Sequence, residues 1–208
     1  MFSGIVSALG KVQNIYKNKI WTIDISIEKI NLDNFLSIQN SIKLGSSILC
    51  SGICLTVKKV FNDVLTFDVS SETALKTNFL HWDKKTYINL ERSLRVGDEM
   101  GGHFVSGHVD DVVEIINITN IDKSKKIQLS MNNKISKYIV SKGSVTLNGV
   151  SLTINDVEKN YFEVNVIPFT WENTNFSFLN KGSIINIEVD LLARYLLNQD
   201  NKNNVFKN

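Results

Sequence analysis

The sequence predicts an all-β protein: two tandem six-stranded Greek-key barrels with short helices and a C-terminal amphipathic helix. Three observations carry the prediction. First, the hexapeptide GICLTV at Gly52–Val57 returns as GVSLTI at Gly149–Ile154, 97 residues later. The same spacing pairs Thr73 with Thr170, Thr77 with Thr174, Ile88-Asn89 with Ile185-Asn186 and Glu91 with Glu188, which marks a duplicated module. Second, each copy carries about six short β-branched or alternating segments separated by turns, and such a set closes into a barrel that leaves no free edge. Third, 43% hydrophobic and 21% charged residues is ordinary globular composition. Units of about 95 residues then bury enough apolar surface to stand without staples.

In the first copy, Ile5–Ile15, Ile20–Ile27 and Ser47–Leu49 read as strands. Ile23, Ile25 and Ile27 alternate with Asp24 and Ser26, so one face of that strand is buried and the other wet. Leu32–Ile38 reads as a short helix after Asn31. Leu49–Phe61 and Val64–Ser70 form a hairpin around Asn62-Asp63. Thr86–Arg92 closes the unit, and Leu94–Gly101 connects it to the next.

The second copy repeats the order. His108–Ile118 and Lys125–Ser130 are strands, and Lys134–Val140 is a short helix. Ser144–Val157 and Tyr161–Ile167 form a hairpin around Lys159-Asn160, and Ser183–Val189 closes the unit. Over Asp190–Asn198, Leu191, Leu192, Tyr195 and Leu196 share one helical face, and Asp190 is placed to cap it. That face docks either on its own barrel or against helices of other subunits. The tail from Gln199 is polar and expected to fray. The expected division is therefore 1–97 and 98–189 for the barrels, with 190–208 as an oligomerisation helix and tail.

Several function classes fall away. Net charge is +2 and no run of five like charges occurs, which argues against a nucleic-acid surface. No apolar run approaches the roughly 18 residues needed to span a bilayer. The opening MFSGIV lacks the basic-then-apolar layout of an export signal, so a cytoplasmic setting is expected. Cys50 and Cys54, read as sitting on one strand, would stand about 13 Å apart, beyond disulfide reach. The three histidines show no finger-like spacing around them, so no metal is expected, and reduced thiols suit a reducing compartment.

Chemistry has two candidate sources. In the hexapeptides, Cys54 and Thr56, and Ser151 and Thr153, stand at alternate positions and point to the same side of the sheet. A single such pair is most often plain sheet packing; its recurrence favours one polar-lined pocket per module. The other source is GGHFVSGHVD at Gly101–Asp110, whose SGHV aligns with Ser3-Gly4-Ile5-Val6. His108 replaces Ile5 in this alignment, and a histidine that breaks the symmetry of a copied pocket is a candidate for proton transfer. His103 reads as structural.

These stretches, with others in order, resemble the riboflavin synthase family. The resemblance rests on MFSGIV against the family's opening Met-Phe-Thr-Gly-Ile, then on GSSILCSGICLTV, NLERSLRVGDEMGGHFVSGHVD, KGSVTLNGVSLTI and IPFTWENT. It runs from Met1 to about Leu197. It implies dismutation of two 6,7-dimethyl-8-ribityllumazine molecules into riboflavin and 5-amino-6-ribitylamino-uracil by four-carbon transfer, the final step of riboflavin biosynthesis. It also implies a homotrimeric transferase with no metal or organic cofactor, and brings in lumazine synthase as a candidate partner.

By position, the resemblance lines a first pocket with Gly4, Ile5, Val6, Cys54, Leu55 and Thr56, together with Asp68, Val69, Ser70, Ser71, Glu72 and Thr73. It lines a second with Gly107, His108, Val109, Lys142, Ser151, Leu152 and Thr153, together with Asn165, Val166, Ile167, Pro168, Phe169 and Thr170. It assigns proton transfer to His108, and Cys54 and Ser151 to the two reacting ligands. Asp190 is a weaker candidate, because capping accounts for it, and Lys142 is placed to hold a ligand oxygen. The sequence departs from the family at Ser3 (usually Thr), Ser51 (usually Asn) and Phe169 (often polar or His).

Two other readings compete. A non-catalytic lumazine- or flavin-binding relative tends to lose the second pocket, whereas His108, Lys142, Ser151 and Thr153 remain here. A flavin-nucleotide barrel of a reductase needs a nicotinamide domain for which no length remains, and no Gly-x-Gly-x-x-Gly follows a strand.

Overall fold

Two reversals, at Ser51-Gly52 and Asn148-Gly149, set the course of both halves. In the computed structural model, which describes residues 1–28 and 42–197, these residues have φ of 44°, 87°, 45° and 79°. Two successive left-handed residues make the tight hairpin turn whose twist matches that of its strands. Each expected long strand is therefore two. Leu49–Phe61 divides into the end of β3 (Ser47–Cys50) and β4 (Ile53–Phe61), and Ser144–Val157 divides into β9 (Ser144–Leu147) and β10 (Val150–Val157). Cys50 and Cys54 consequently sit on facing strands of a hairpin, with Leu49 opposite Cys54. Both are free thiols, and Cys50 is buried in the core.

The remaining strands are β1 (Ala8–Lys17), β2 (Trp21–Glu28), β5 (Val64–Val69) and β6 (Tyr87–Arg92), then β7 (Asp111–Ile121), β8 (Ser124–Ser130), β11 (Tyr161–Val166) and β12 (Ile184–Val189). They close into two barrels, β1-β2-β5-β4-β3-β6 and, six strands on, β7-β8-β11-β10-β9-β12. Bulges at Val57/Lys59 and Ile154/Asp156 bend β4 and β10 at equivalent points, as closure demands. Inside, Ile23, Ile25, Leu65 and Phe67 fill the first barrel, and Ile127, Leu129, Phe162 and Val164 fill the second. The interiors are packed cores, so any ligand binds outside them.

Helices cover the ends. α1 (Ser71–Lys76) follows β5, and α2 (Pro168–Glu172) follows β11, where the sequence predicts pocket-lining chain. Ser70 caps α1 by accepting from the Thr73 amide at 3.0 Å. The expected helix at Lys134–Val140 shrinks to one 3₁₀ turn, Ser136–Tyr138. Residues 191–197 form α3, capped by Asp190, whose Oδ1 accepts from the Leu192 amide at 2.9 Å. The expected helix Leu32–Ile38 and the tail from Gln199 lie outside the described residues. No described helix is long and apolar enough to cross a membrane.

The repeated asparagines form the seam between barrels. Asn89 Nδ2 donates to the Asn148 carbonyl at 2.9 Å, and its counterpart Asn186 donates to the Ser51 carbonyl at 2.8 Å. The Asn78 and Asn175 amides donate to Asn186 Oδ1 and Asn89 Oδ1 at 2.8 and 2.6 Å. Buried amides are tolerable only when paired, and these pair across the two-fold relation that the repeat creates.

Candidate functional site

The strands that carry GICLTV and GVSLTI bury alternate residues, so Ile53, Leu55 and Val57 face the first core while Cys54 and Thr56 face outward. What covers that outer face is chain from the other module. β1 starts at Ala8 and β7 at Asp111, later than the expected Ile5 and His108, because the residues before each strand cross over. Phe2 and Val105 exchange backbone hydrogen bonds at 2.8 and 3.0 Å, and the two segments diverge from there. Val6 packs against the second core and Val109 against the first.

This crossing exchanges the expected pocket partners. The Ser151 amide donates to the Gly4 carbonyl at 2.8 Å, and the Cys54 amide donates to the Gly107 carbonyl at 3.0 Å. Gly4–Val6 therefore belong with Ser151 on the second barrel, and Gly107–Val109 with Cys54 on the first. The expectation that groups Gly4 with Cys54, and His108 with Ser151, is corrected. Glycine is required at the crossing: a Cβ on Gly107 would lie 2.5 Å from Cys54 Cβ, and one on Gly4 2.6 Å from Ser151 Cβ.

On the first barrel the result is a cavity of about 270 Å³ lined by Ile53, Cys54, Glu72, Thr73, Lys76, Thr77, Gly107, His108 and Val109. His108 is exposed at its mouth. Burial pushes the Cys54 thiol up, while a Ser47 hydrogen bond and the amino terminus draw it down; the thiol stays protonated at neutral pH. Asp68 is turned elsewhere, accepting from Thr22 Oγ1 and Lys58 Nζ at 3.0 and 2.9 Å. Leu55 and Val69 are buried in the core, leaving Glu72 and Thr73 as the part of 68–73 that reaches the cavity.

On the second barrel Ser151 meets His103, not His108. His103 Nδ1 stands 2.7 Å from Ser151 Oγ and its Nε2 stands 3.1 Å from Thr146 Oγ1. Burial holds His103 below the ordinary imidazole range, with the charge of Asp190 opposing, so the ring is neutral at neutral pH. Sequence reasoning misses this residue because it has no counterpart in the first copy; the Gly-Gly before it is the available signal for a close approach. Of 165–170, Val166 is core, whereas Ile167 and Phe169 are 54% and 62% exposed beside Pro168 and Thr170. Lys142 is an exposed turn residue with φ 66°, its amide tied to the Ile154 carbonyl.

Two buried glutamates hold the crossing. Glu91 Oε1 accepts from the Ser3 amide and hydroxyl at 2.7 and 2.8 Å, and Oε2 from the Gly4 amide at 3.0 Å. Glu188 does the same for Ser106 and Gly107, at 2.8, 2.5 and 2.9 Å. Burial raises Glu91 from 4.5 to about 7 against the pull of those donors, and raises Glu188 likewise. An unfolded chain releases the Glu91 proton near 4.5 while the native chain keeps it to about 7. Its contribution to stability is thus complete below pH 4.5 and lost as pH rises to about 7. In urea titrations across that window, Glu91→Gln should flatten a decline worth on the order of 3 kcal/mol; an unchanged slope would contradict it. The comparison isolates Glu91 from His103, whose depressed value acts in the opposite direction.

Comparison with known proteins agrees with the two-barrel fold. The lumazine binding domain family matches twice, over residues 3–93 and 106–190. The riboflavin synthase of Buchnera aphidicola subsp. Schizaphis graminum is 37% identical over 95% of this chain and 92% of its own. That of Brucella abortus (strain 2308) is 38% identical over 94% of this chain and 96% of its own. Among solved structures, LumP complexed with 6,7-dimethyl-8-(1'-D-ribityl) lumazine superposes with a TM-score of 0.79 at 26% identity, covering 91% of this chain and 99% of LumP. With two matched domains on two barrels, and relatives similar over nearly its full length, the chain belongs to the riboflavin synthase family of paired lumazine-binding domains.

Proposed function

We propose that this chain catalyses the riboflavin synthase reaction: two molecules of 6,7-dimethyl-8-ribityllumazine give riboflavin and 5-amino-6-ribitylamino-uracil by transfer of four carbons. The observation that carries the reading is the duplicated site, in which Cys54 and Ser151 occupy equivalent positions beside equivalent glycines. Two copies of one substrate must meet, and the equivalent sites beside Cys54 and Ser151 hold two like heterocycles. Alignment of bound partners makes a bimolecular step intramolecular, worth up to roughly 7–11 kcal/mol.

The residues divide the work. The C7 methyl of the lumazine is acidic because its anion is delocalised into the ring, so the site needs a base near that methyl. His108, at the mouth of the first-barrel cavity, transfers that proton. Ser151, hydrogen-bonded to a neutral His103, faces the ligand of the second barrel, with His103 able to take the hydroxyl proton. Cys54, protonated, donates to the ligand of the first barrel. Thr73, Thr170 and Lys142 hold ribityl or ring oxygens. This is transferase chemistry, and a cytoplasmic setting fits the free thiols.

The exposed face of α3 supports assembly. Leu192, Tyr195 and Leu196 are 62%, 64% and 65% exposed, so the apolar face is not docked on its own barrel. We assign residues 190–208 to trimer formation, residues 1–97 and 98–189 to the two lumazine-binding barrels, and the reacting pair of pockets to a subunit boundary; lumazine synthase is a further candidate partner. Truncation before Asp190 should convert trimers to monomers in sedimentation velocity, and an unchanged coefficient per mass would refute that role. A second reading, lumazine binding without turnover, is favoured by the likeness to LumP. Incubation with the lumazine alone separates them: riboflavin absorbance grows if the proposal holds, and a flat trace supports the second reading.

A further inference from the structure

The glutamate clamps run crosswise. Glu188 lies on β12 of the second barrel, yet the Ser106-Gly107 turn it holds delivers a carbonyl to Cys54 of the first. Glu91 lies on β6 of the first barrel, and its Ser3-Gly4 turn delivers a carbonyl to Ser151 of the second. Each path runs carboxylate, serine amide and hydroxyl, glycine amide, glycine carbonyl, reactive-residue amide. Both glutamates are 4% exposed; Glu188 does not line the first-barrel cavity, and Glu91 lines a separate cavity of about 390 Å³ beside Ser3, Ile5 and Gly101. Both glycines are held in the left-handed region, at φ 76° and 80°, and that conformation aims the carbonyl.

We propose that Glu91 and Glu188 are positioning residues acting on the opposite barrel: Glu188 sets the pocket of Cys54 and His108, and Glu91 sets the pocket of Ser151. Glycine imposes little backbone preference of its own, so the turn geometry rests on the carboxylate that takes its two amides. Converting Glu to Gln leaves an NH₂ facing one of those amides, and the turn must move. The proposal rests on reading the two pockets as ligand sites, which gives the displaced residues their consequence.

A merely structural clamp would also move the turn and the amide bonded to it, so the readout that separates the two accounts is riboflavin affinity at the opposite barrel's site, with the amide shifts locating the change. The test follows assigned backbone amide resonances of ¹⁵N-labelled full-length protein titrated with riboflavin. Glu188→Gln should shift the Cys54 amide more than Ser151 and weaken riboflavin at the first-barrel pocket about tenfold, the scale of a sub-ångström misplacement. Glu91→Gln should do the reverse. Ser106→Ala and Ser3→Ala each remove one donor from a clamp, should reproduce the same crosswise pattern more weakly, and decide the matter if the Gln variants do not fold. Unchanged riboflavin affinity at the opposite barrel's site, larger shifts in the glutamate's own barrel, equal shifts in both or none would overturn the proposal. Failure of wild type to bind riboflavin would instead sink the functional reading, because the crosswise amide shifts do not depend on ligand.

Discussion

His108→Ala should lower the single-turnover rate of riboflavin formation by about 10²–10⁴-fold, the range a positioned acid–base group commands. The fold supplies the reasons. His108 stands at the mouth of the cavity that contains Cys54, Thr73 and Lys76, and its amide is held by Ser106 Oγ at 3.3 Å. That hydroxyl is itself bound to Glu188, so the imidazole's root is fixed while its ring is free to meet a ligand. The loss should appear chiefly in the chemical step, because Cys54, Thr73, Lys76 and the other walls of the cavity remain. An undiminished single-turnover rate would clear His108 of proton transfer.

Gly107→Val should cost about 2–5 kcal/mol in stability, from left-handed strain plus overpacking, and should close the first-barrel pocket. The added Cβ would lie 2.5 Å from Cys54 Cβ and 2.9 Å from Leu49 Cδ1, in contact with a buried leucine that cannot retreat without opening the core. Gly97 provides the control: its φ is also positive, at 93°, but nothing lies within 4 Å of the Cβ that a substitution would add there. Gly97→Val therefore bears backbone strain alone, about 1–3 kcal/mol. Chemical denaturation midpoints measure both, and equal losses at the two positions would show that the crossing is not the crowded element described.

The barrels were legible because duplication and strand periodicity are properties of local sequence. The repeated residues were visible too, but their tasks were not. Thr77 and Thr174 match because each hydroxyl donates to a carbonyl four residues back, at 2.7 Å. Asn89 and Asn186 match because they stitch the seam, and Glu91 and Glu188 because they clamp the crossing. The asparagine and glutamate tasks involve partners far away in the chain, which periodicity cannot reveal. Asn148-Gly149 is a strong hairpin signal, hidden inside an apolar run that reads as one strand.

The site was legible in part. Of the residues expected around Cys54, Glu72 and Thr73 reach the cavity while Leu55 and Val69 are core and Asp68 is bound elsewhere, and sequence order assigns the flanking glycines to the wrong barrel. Nothing in the alternation of Ile5–Ile15 announces that its first residues leave for the other module. His103 reads as structural because a single histidine carries no spacing, and only the fold brings it to Ser151.

This chain should consume two lumazines for every riboflavin it makes, one held beside Cys54 and one beside Ser151. The direct measurement is a quenched reaction of protein and 6,7-dimethyl-8-ribityllumazine alone, with all three heterocycles quantified over time. Two lumazines should be lost per riboflavin gained, matched by one 5-amino-6-ribitylamino-uracil. Lumazine that remains bound and unconverted, or riboflavin formed without the uracil product, would contradict it.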